Sequence, residues 1–435
     1  MLLDITSAPY HISIDGTHDA TDALEKALED IKNSGGGTIQ FPENAFICIS
    51  RTLSLPDNVV MTTERGKARI KYYHSQNIET KHLFFGNAVQ NVTFSNIIFD
   101  TQHQSPSVGA IVITSYGKVP MENSNILVDN CEFKGMNKSG CCAIRIQKTK
   151  GVTIQNCTFE DSYIGIGLWK RNSEIEVKNN SFSDSMTNTA IRFTGNMDKK
   201  NPEFCDKVRI ENNSIRIKAV ASVIQPDGKP KGRPDSFSGI YLTCGDKDYT
   251  GNSNFHDSVQ LMNNTIIGPK LGFFSGGSAD LFSIKDTKNF VCKNNIATGS
   301  GDLGFAFERC HQGEISNNTA EENNSCGISV LGSSYLSLTH NKCGSNEQTR
   351  DRIYQNHPYG GIRIEYGSHH ITIENNEFYQ VPTEAQLTQH YGIVIKSTYK
   401  KGIKEYPSAI KVVNNTSSGQ VFGAVFNESD DTEIL

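Results

Sequence analysis

The chain has 435 residues, of which 36% are hydrophobic and 20% charged, and its 42 Lys and Arg against 47 Asp and Glu give a net charge of −5. No block of basic residues stands out, so neither nucleic acid nor a membrane surface is an expected partner, and no segment approaches the roughly 20 apolar residues of a membrane-spanning helix. The apolar share is thin for one large globular core but enough for the narrow apolar stack of a solenoid.

The opening MLLDITSAPYHISIDG has neither a basic start nor an apolar run of signal-peptide length, which fits a cytoplasmic, phage-borne or already processed secreted protein. In the next segment Leu24, Ala27, Leu28 and Ile31 have helical spacing, Asp22 and Glu25 crowd the first turn, and Gly35 to Gly37 end it. This predicts a helix over 19–34 followed by the strand TIQFP. Residues 1–88 then read as an amino-terminal cap that covers the open end of the solenoid, and 89–435 as the repeat body.

The cap also carries a signature. DGTHDATDAL followed by GGGTIQFP resembles the amino-terminal motif of the pectate-lyase-3-like group within the pectin-lyase-like right-handed parallel β-helices. That group includes polygalacturonase-type hydrolases, phage tailspikes and mannuronan epimerases, so the resemblance implies a fold and a glycan substrate without choosing a reaction. The polygalacturonase set of an NTD strand, a DD pair, GHG and RIK is missing, as is the DPH-type motif of the epimerases, so no catalytic residue carries over by motif.

From residue 89 onward one pattern recurs: an alternating stretch, an Asn, a small residue and an apolar one, as in ILVDNCEF, VTIQNCTF and IEVKNNSF. The last Asn of each copy is Asn96, Asn130, Asn156, Asn180, Asn213, Asn264, Asn295, Asn318, Asn341, Asn376 and Asn415, and several intervals are 23 to 26 residues. One coil per repeat gives an all-β, right-handed parallel β-helix of about 11 coils, with the Asn as a structural turn ladder. Cys131 and Cys157, each directly after its Asn, read as small core residues.

Each coil supplies a second short strand, such as AIRIQ, GIGLW, AIRFT, GIYLT, LFSIK, GFAFE and GIRIE. The second and fourth residues point inward, so the third and fifth point out. This puts Arg145, Trp169, Arg192, Tyr241, Lys285 and Glu308 on one face as candidate substrate contacts and catalysts. Arg145 and Arg192 flank Gly167, leaving a gap that an anionic group could enter beside Trp169, the only tryptophan. Long excursions at 196–207, 216–238 and 244–258 would wall a groove.

Carboxylates collect near those excursions. Asp246 and Asp248 follow GIYLT, Asp286 follows LFSIK, and Glu308 closes GFAFE. Asp280 and Asp302 precede their strands and could face the groove from the other side, whereas Asp161 and Asp184 have the repeat register of turn residues. A catalytic set of Glu308, Asp286, Asp246 and Asp302, with Arg145, Trp169, Arg192, Tyr241 and Lys285 as substrate contacts, predicts glycoside hydrolysis of a polysaccharide or oligosaccharide with acidic units. The alternatives are a uronate lyase or C5-epimerase with Arg192, Tyr241 or Lys285 as acid and base, and a non-catalytic, tailspike-like adhesin. A homo-oligomer is compatible with all three, a trimer with the last. No cluster of acids suggests a calcium site, so no metal or other cofactor is expected.

Overall fold

Alternation makes each strand two-faced. Within Cys142–Gln155, Ile144 and Ile146 are fully buried while Arg145 and Gln147 are only half-buried. Such a strand cannot hide its apolar row alone, and here it stacks that row on the same row of the next coil. The computed structural model describes residues 1–435 other than 73–80, 103, 117–122, 187, 218–237, 246–253, 270–279, 349–357, 382–386 and 401. Most of the long excursions at 216–238 and 244–258 therefore lies outside the described residues.

Two compact units form, Met1–Thr194 with Phe204–Arg209, and Gly195–Glu203 with Ile210–Leu435. In the first, the inward row runs Ile111, Ile144, Ile166, Ile191 in parallel register. In the second it runs Ile240, Phe282, Phe305, Ile328, Ile362, Ile393. A coil is three strands, for example Ile296–Thr298, Phe305–Glu308 and His311–Ser316. Both units are thus parallel β-helices, and the strand spacing is filled by identical side chains one above another. Phe99, Phe133, Phe159 and Phe182 stack with centroids 4.9, 5.0 and 4.6 Å apart, matching the separation of adjacent strands.

The single helix among the described residues spans Thr21–Asn33 and buries Leu24, Ala27, Leu28 and Ile31. It starts two residues later than predicted because Asp19 still belongs to the strand Asp15–Asp19, its Oδ1 accepting the Thr21 N–H at 2.9 Å. Gly35 and Gly36, at φ 78° and 141°, end it. The strand after it, Gly37–Phe41, pairs in parallel with Leu2–Asp4 and with Val59–Thr63.

The recurring asparagines form two columns, not one. Left-handed backbone is held by Asn96, Asn130 and Asn156, then by Asn179, Asn212, Asn263, Asn294, Asn317, Asn375 and Asn414, all with φ between 50° and 59°. One residue later comes an interior column in each unit, Cys131, Cys157 and Asn180 in the first and Asn213, Asn264, Asn295, Asn318, Asn341 and Asn376 in the second, each at most 2% exposed, with Asn415 at the far end of the second. The sequence-level ladder mixes these columns in its first three members. Cys131 and Cys157 occupy the place that Asn takes in later coils, and Cys157 N–H donates to Asn180 Oδ1 at 2.9 Å. All eleven cysteines are free and buried.

In the interior column each amide is fully used. Asn318 Oδ1 accepts from Asn295 N–H at 2.9 Å and from Asn295 Nδ2 at 3.0 Å, while Asn318 Nδ2 donates to Cys292 O at 2.9 Å and to Asn341 Oδ1 at 3.0 Å. A shorter amide column at a second turn joins Asn323, Asn346 and Gln389, through Nδ2 to Oδ1 and Nδ2 to Oε1 bonds of 2.9 and 3.0 Å. Replacing Asn318 by Ala strands several buried partners, and stability should fall by about 3 kcal/mol or more. Asn317→Gly, at an exposed left-handed position, should change it by less than about 0.5 kcal/mol. Urea unfolding of the two variants checks this, and equal effects would contradict the two-column assignment.

Candidate functional site

In the first unit the outward register is Val112, Arg145, Gly167, Arg192. The expected gap above Gly167 does not exist. Trp169 folds its ring back over the glycine, so that a Cβ built there would lie 1.8 Å from the indole Cζ3. The Arg145 guanidinium carbon sits 4.5 Å from the indole centroid, a cation–π contact. Arg192 Nε donates to Thr194 Oγ1 at 3.3 Å. Gly167 is therefore a seat for the ring, and the argument from that gap to an anionic ligand lapses. Asp161, with φ 50° and an Asn137 Nδ2 donor at 2.7 Å, is the turn residue its repeat position suggested; the side chain of Asp184 is outside the described part.

The second unit carries the denser chemistry. Its outward columns run Tyr241, Ser283, Ala306, Ser329, Arg363, Val394, and beside them Lys285, Glu308, Leu331, Glu365. Lys285 Nζ lies 2.5 Å from Glu308 Oε2, and the other Glu308 oxygen is bound by Arg309. Burial would lower the Lys285 pKa, yet the charges of Glu308 and Asp280 hold it above its ordinary value.

Asp286 differs from its neighbours in direction. The residue after several of the outward strands turns into left-handed backbone, as at Lys148, Lys170, Asp286, Arg309 and Tyr366, with φ between 51° and 65°. This swings Asp286 off the face. Its Oδ1 takes Arg309 Nε at 2.7 Å, and its Oδ2 takes Cys244 N–H at 2.8 Å, Thr243 Oγ1 at 3.1 Å and Gly245 N–H at 3.2 Å. With no exposed surface and both oxygens committed, it anchors a turn. That corrects the sequence expectation of a catalytic role. Asp246 and Asp248 fall outside the described residues.

Asp280 and Asp302 come together instead. They sit on neighbouring coils, with Leu281 N–H donating to Leu303 O at 3.1 Å just beyond them. Ser283 Oγ donates to Asp280 Oδ2 at 3.0 Å, and Ser325 Oγ donates to Asp302 Oδ1 at 2.6 Å. Burial and then the Asp302 charge push the Asp280 carboxyl up to about 7, against the pull of Lys285 and Ser283. Asp280, Lys285, Glu308 and Asp302 thus form one electrostatically linked cluster, with Tyr241 acting on Lys285 from the preceding coil. Among the described residues no group of three or more His, Cys, Asp or Glu side chains is arranged to hold a metal ion.

The catalytic set expected from sequence does not include Asp280, and the expected site makes no use of Arg363, Glu365 or Tyr359. Arg363 Nη2 bonds Glu365 Oε1 at 2.9 Å, and its guanidinium lies 4.9 Å from the Tyr359 centroid. The alternation in GIRIE places Arg363 and Glu365 outward; nothing in it reveals the Tyr359 cover.

Residues 8–218 match the family model described as Rhamnogalacturonase A/epimerase, pectate lyase-like, and residues 235–435 match that of the right-handed β-helix region. Among solved structures, the A-module of a mannuronan C-5 epimerase of Azotobacter vinelandii is similar at 12% identity, with 98% of this chain and 96% of that one covered and a TM-score of 0.56. The tailspike of Escherichia coli bacteriophage HK620 is similar at 12% identity, 97% and 77% coverage and a TM-score of 0.61. An exopolygalacturonase of Thermotoga maritima is similar at 12% identity, 96% and 92% coverage and a TM-score of 0.51. At these identities the likeness is one of fold. No curated protein matches the chain.

The turn-anchor role of Asp286 has a measurable consequence. Asp286→Ala leaves Arg309 and the turn amides of Cys244 and Gly245 without their acceptor, and should cost about 3 to 5 kcal/mol of stability. Thermal or urea unfolding reads this, and a variant as stable as the parent would return Asp286 to the list of free groove carboxylates.

Proposed function

Because the chain is a right-handed parallel β-helix of the pectin-lyase-like superfamily, we propose that it cleaves a polysaccharide by glycoside hydrolysis, with Asp280 and Asp302 as its carboxyl pair. One observation carries this reading: two carboxyls precede their strands on neighbouring coils, each with a serine donor, and desolvation and the Asp302 charge push the Asp280 carboxyl up to about 7. A proton-bearing Asp280 can donate to the glycosidic oxygen as the bond breaks. Asp302 then serves as base toward water or as nucleophile toward the anomeric carbon, according to the separation the two carboxyls adopt around substrate. Lys285, fixed by Glu308, offers a charged donor to the sugar or the developing negative charge, and Tyr241 flanks it. Glu308 is a positioning residue here. Arg145 and Trp169 of the first unit pack on each other and Arg192 bonds Thr194, so the proposed pair does not call on them.

A uronate lyase or epimerase would need a base at Lys285 or Tyr241. The carboxylates that keep Lys285 protonated count against that role. An adhesin would need neither the pair nor its raised proton affinity.

Incubation with a panel of bacterial and plant polysaccharides tests the choice. New reducing ends without the ultraviolet absorbance of unsaturated uronate are expected. That absorbance, or changed uronate stereochemistry at constant chain length, would replace hydrolysis by elimination or epimerisation. Asp280→Asn and Asp302→Asn should each lower turnover by about a hundredfold or more. Activity of the parent should fall as pH rises through about 7, where Asp280 loses its proton. Near-normal rates in both variants would remove the pair from the mechanism.

A further inference from the structure

Next to Asp302 the second unit holds two buried polar atoms with no protein partner among the described residues, Ser329 Oγ and Arg363 Nε. Ser329 is fully buried, and Arg363 is its register neighbour on the adjacent coil. Strand spacing sets them about 4.8 Å apart along the column. The Arg363 guanidinium lies under Tyr359. Its ring packs on the apolar patch of Leu303, Ala306 and Cys326 and is stacked on the Arg363 guanidinium at 4.9 Å.

Leaving buried polar atoms unmatched costs about 1 to 3 kcal/mol each. A ligand that lifts the Tyr359 ring and satisfies both atoms recovers that cost, and the exposed apolar patch needs a small apolar group to cover it again. Arg Nε–H can only donate, whereas Ser Oγ can accept as well. The required ligand group therefore has an acceptor and a donor a short distance apart, with a methyl-sized apolar end.

We infer that Ser329, Arg363 and the Leu303, Ala306, Cys326 patch form a subsite for an acetamido sugar. The acetamido carbonyl accepts from Arg363 Nε, its N–H donates to Ser329 Oγ, and its methyl replaces the Tyr359 ring on the patch. A carboxylate fits less well. It has no methyl for the patch, and the Arg363 charge is already met by Glu365, Asp302 and Glu347, with Lys396 the further cation nearby. The proposal rests on the groove assigned above and names the substituent of the sugar bound beside the pair.

Of the methyl glycosides of N-acetylglucosamine, glucose and glucuronic acid, the first carries the acetamido group, the second neither group and the third a carboxylate. Their binding to the full chain carrying Asp280→Asn, followed by ligand-observed NMR, tests the subsite. The acetamido glycoside should bind about tenfold more tightly than the other two, and Ser329→Ala and Arg363→Lys should each remove about that factor. Tyr359→Ala should tighten acetamido binding by uncovering the patch. Ser329→Ala deletes one oxygen and keeps the test open if Arg363→Lys fails to fold. Equal binding of the three glycosides, preference for the glucuronide, no binding of any, or acetamido binding indifferent to Ser329→Ala would overturn the assignment. Because this readout uses a protein without the proposed acid, it is independent of turnover. Acetamido binding without cleavage by the parent chain would sink the hydrolase reading alone.

Discussion

Every coil has to turn, and every turn leaves backbone N–H and carbonyl groups facing an interior without water. The interior asparagine column resolves this: one amide takes the N–H of the neighbouring coil's Asn, donates back to a carbonyl, and passes a second bond onward. Since each amide depends on the next, the column fixes coil spacing and register together. The outward columns inherit that register, so the approach of Asp280 to Asp302 and of Lys285 to Glu308 is a consequence of how the turns are satisfied.

The same constraint separates carboxylates that hold the fold from those free to react. Asp286 stands one residue past its outward strand, where left-handed backbone directs its side chain into the turn. There it neutralises Arg309, and the pair belongs to the scaffold. Asp280 and Asp302 stand before their strands, each with a serine donor, and their mutual repulsion is left in place. A scaffold rigid enough to hold two like charges on adjacent coils is what allows one of them to keep its proton near neutrality.

Period-two alternation made the fold and the outward columns legible, because burial of one face leaves no other direction for Arg145, Lys285, Glu308 or Arg363. Three features were not legible, for distinct reasons. In the Asn-Asn pairs either residue could be the inner one, and only burial tells Asn180 from Asn179 or shows Cys131 in the same column. Trp169 is long enough to lie back over its own strand, so a missing side chain at Gly167 marked a seat for the ring where the sequence suggested an opening. Asp280 and Asp302 lie outside the alternating stretch, where sequence period gives no direction, and their pairing comes from coil stacking.

The central claim is that desolvation and the neighbouring Asp302 charge raise the Asp280 carboxyl far enough for it to share a proton near neutral pH. Carbon-13 NMR titration of the aspartate carboxyls, with Asp280 assigned by its Asn variant, measures this directly. The account predicts a midpoint near 7 that moves down toward the ordinary carboxylate range when Asp302→Asn removes the neighbouring charge. A midpoint already in that range in the parent protein, or one indifferent to Asp302→Asn, would contradict it.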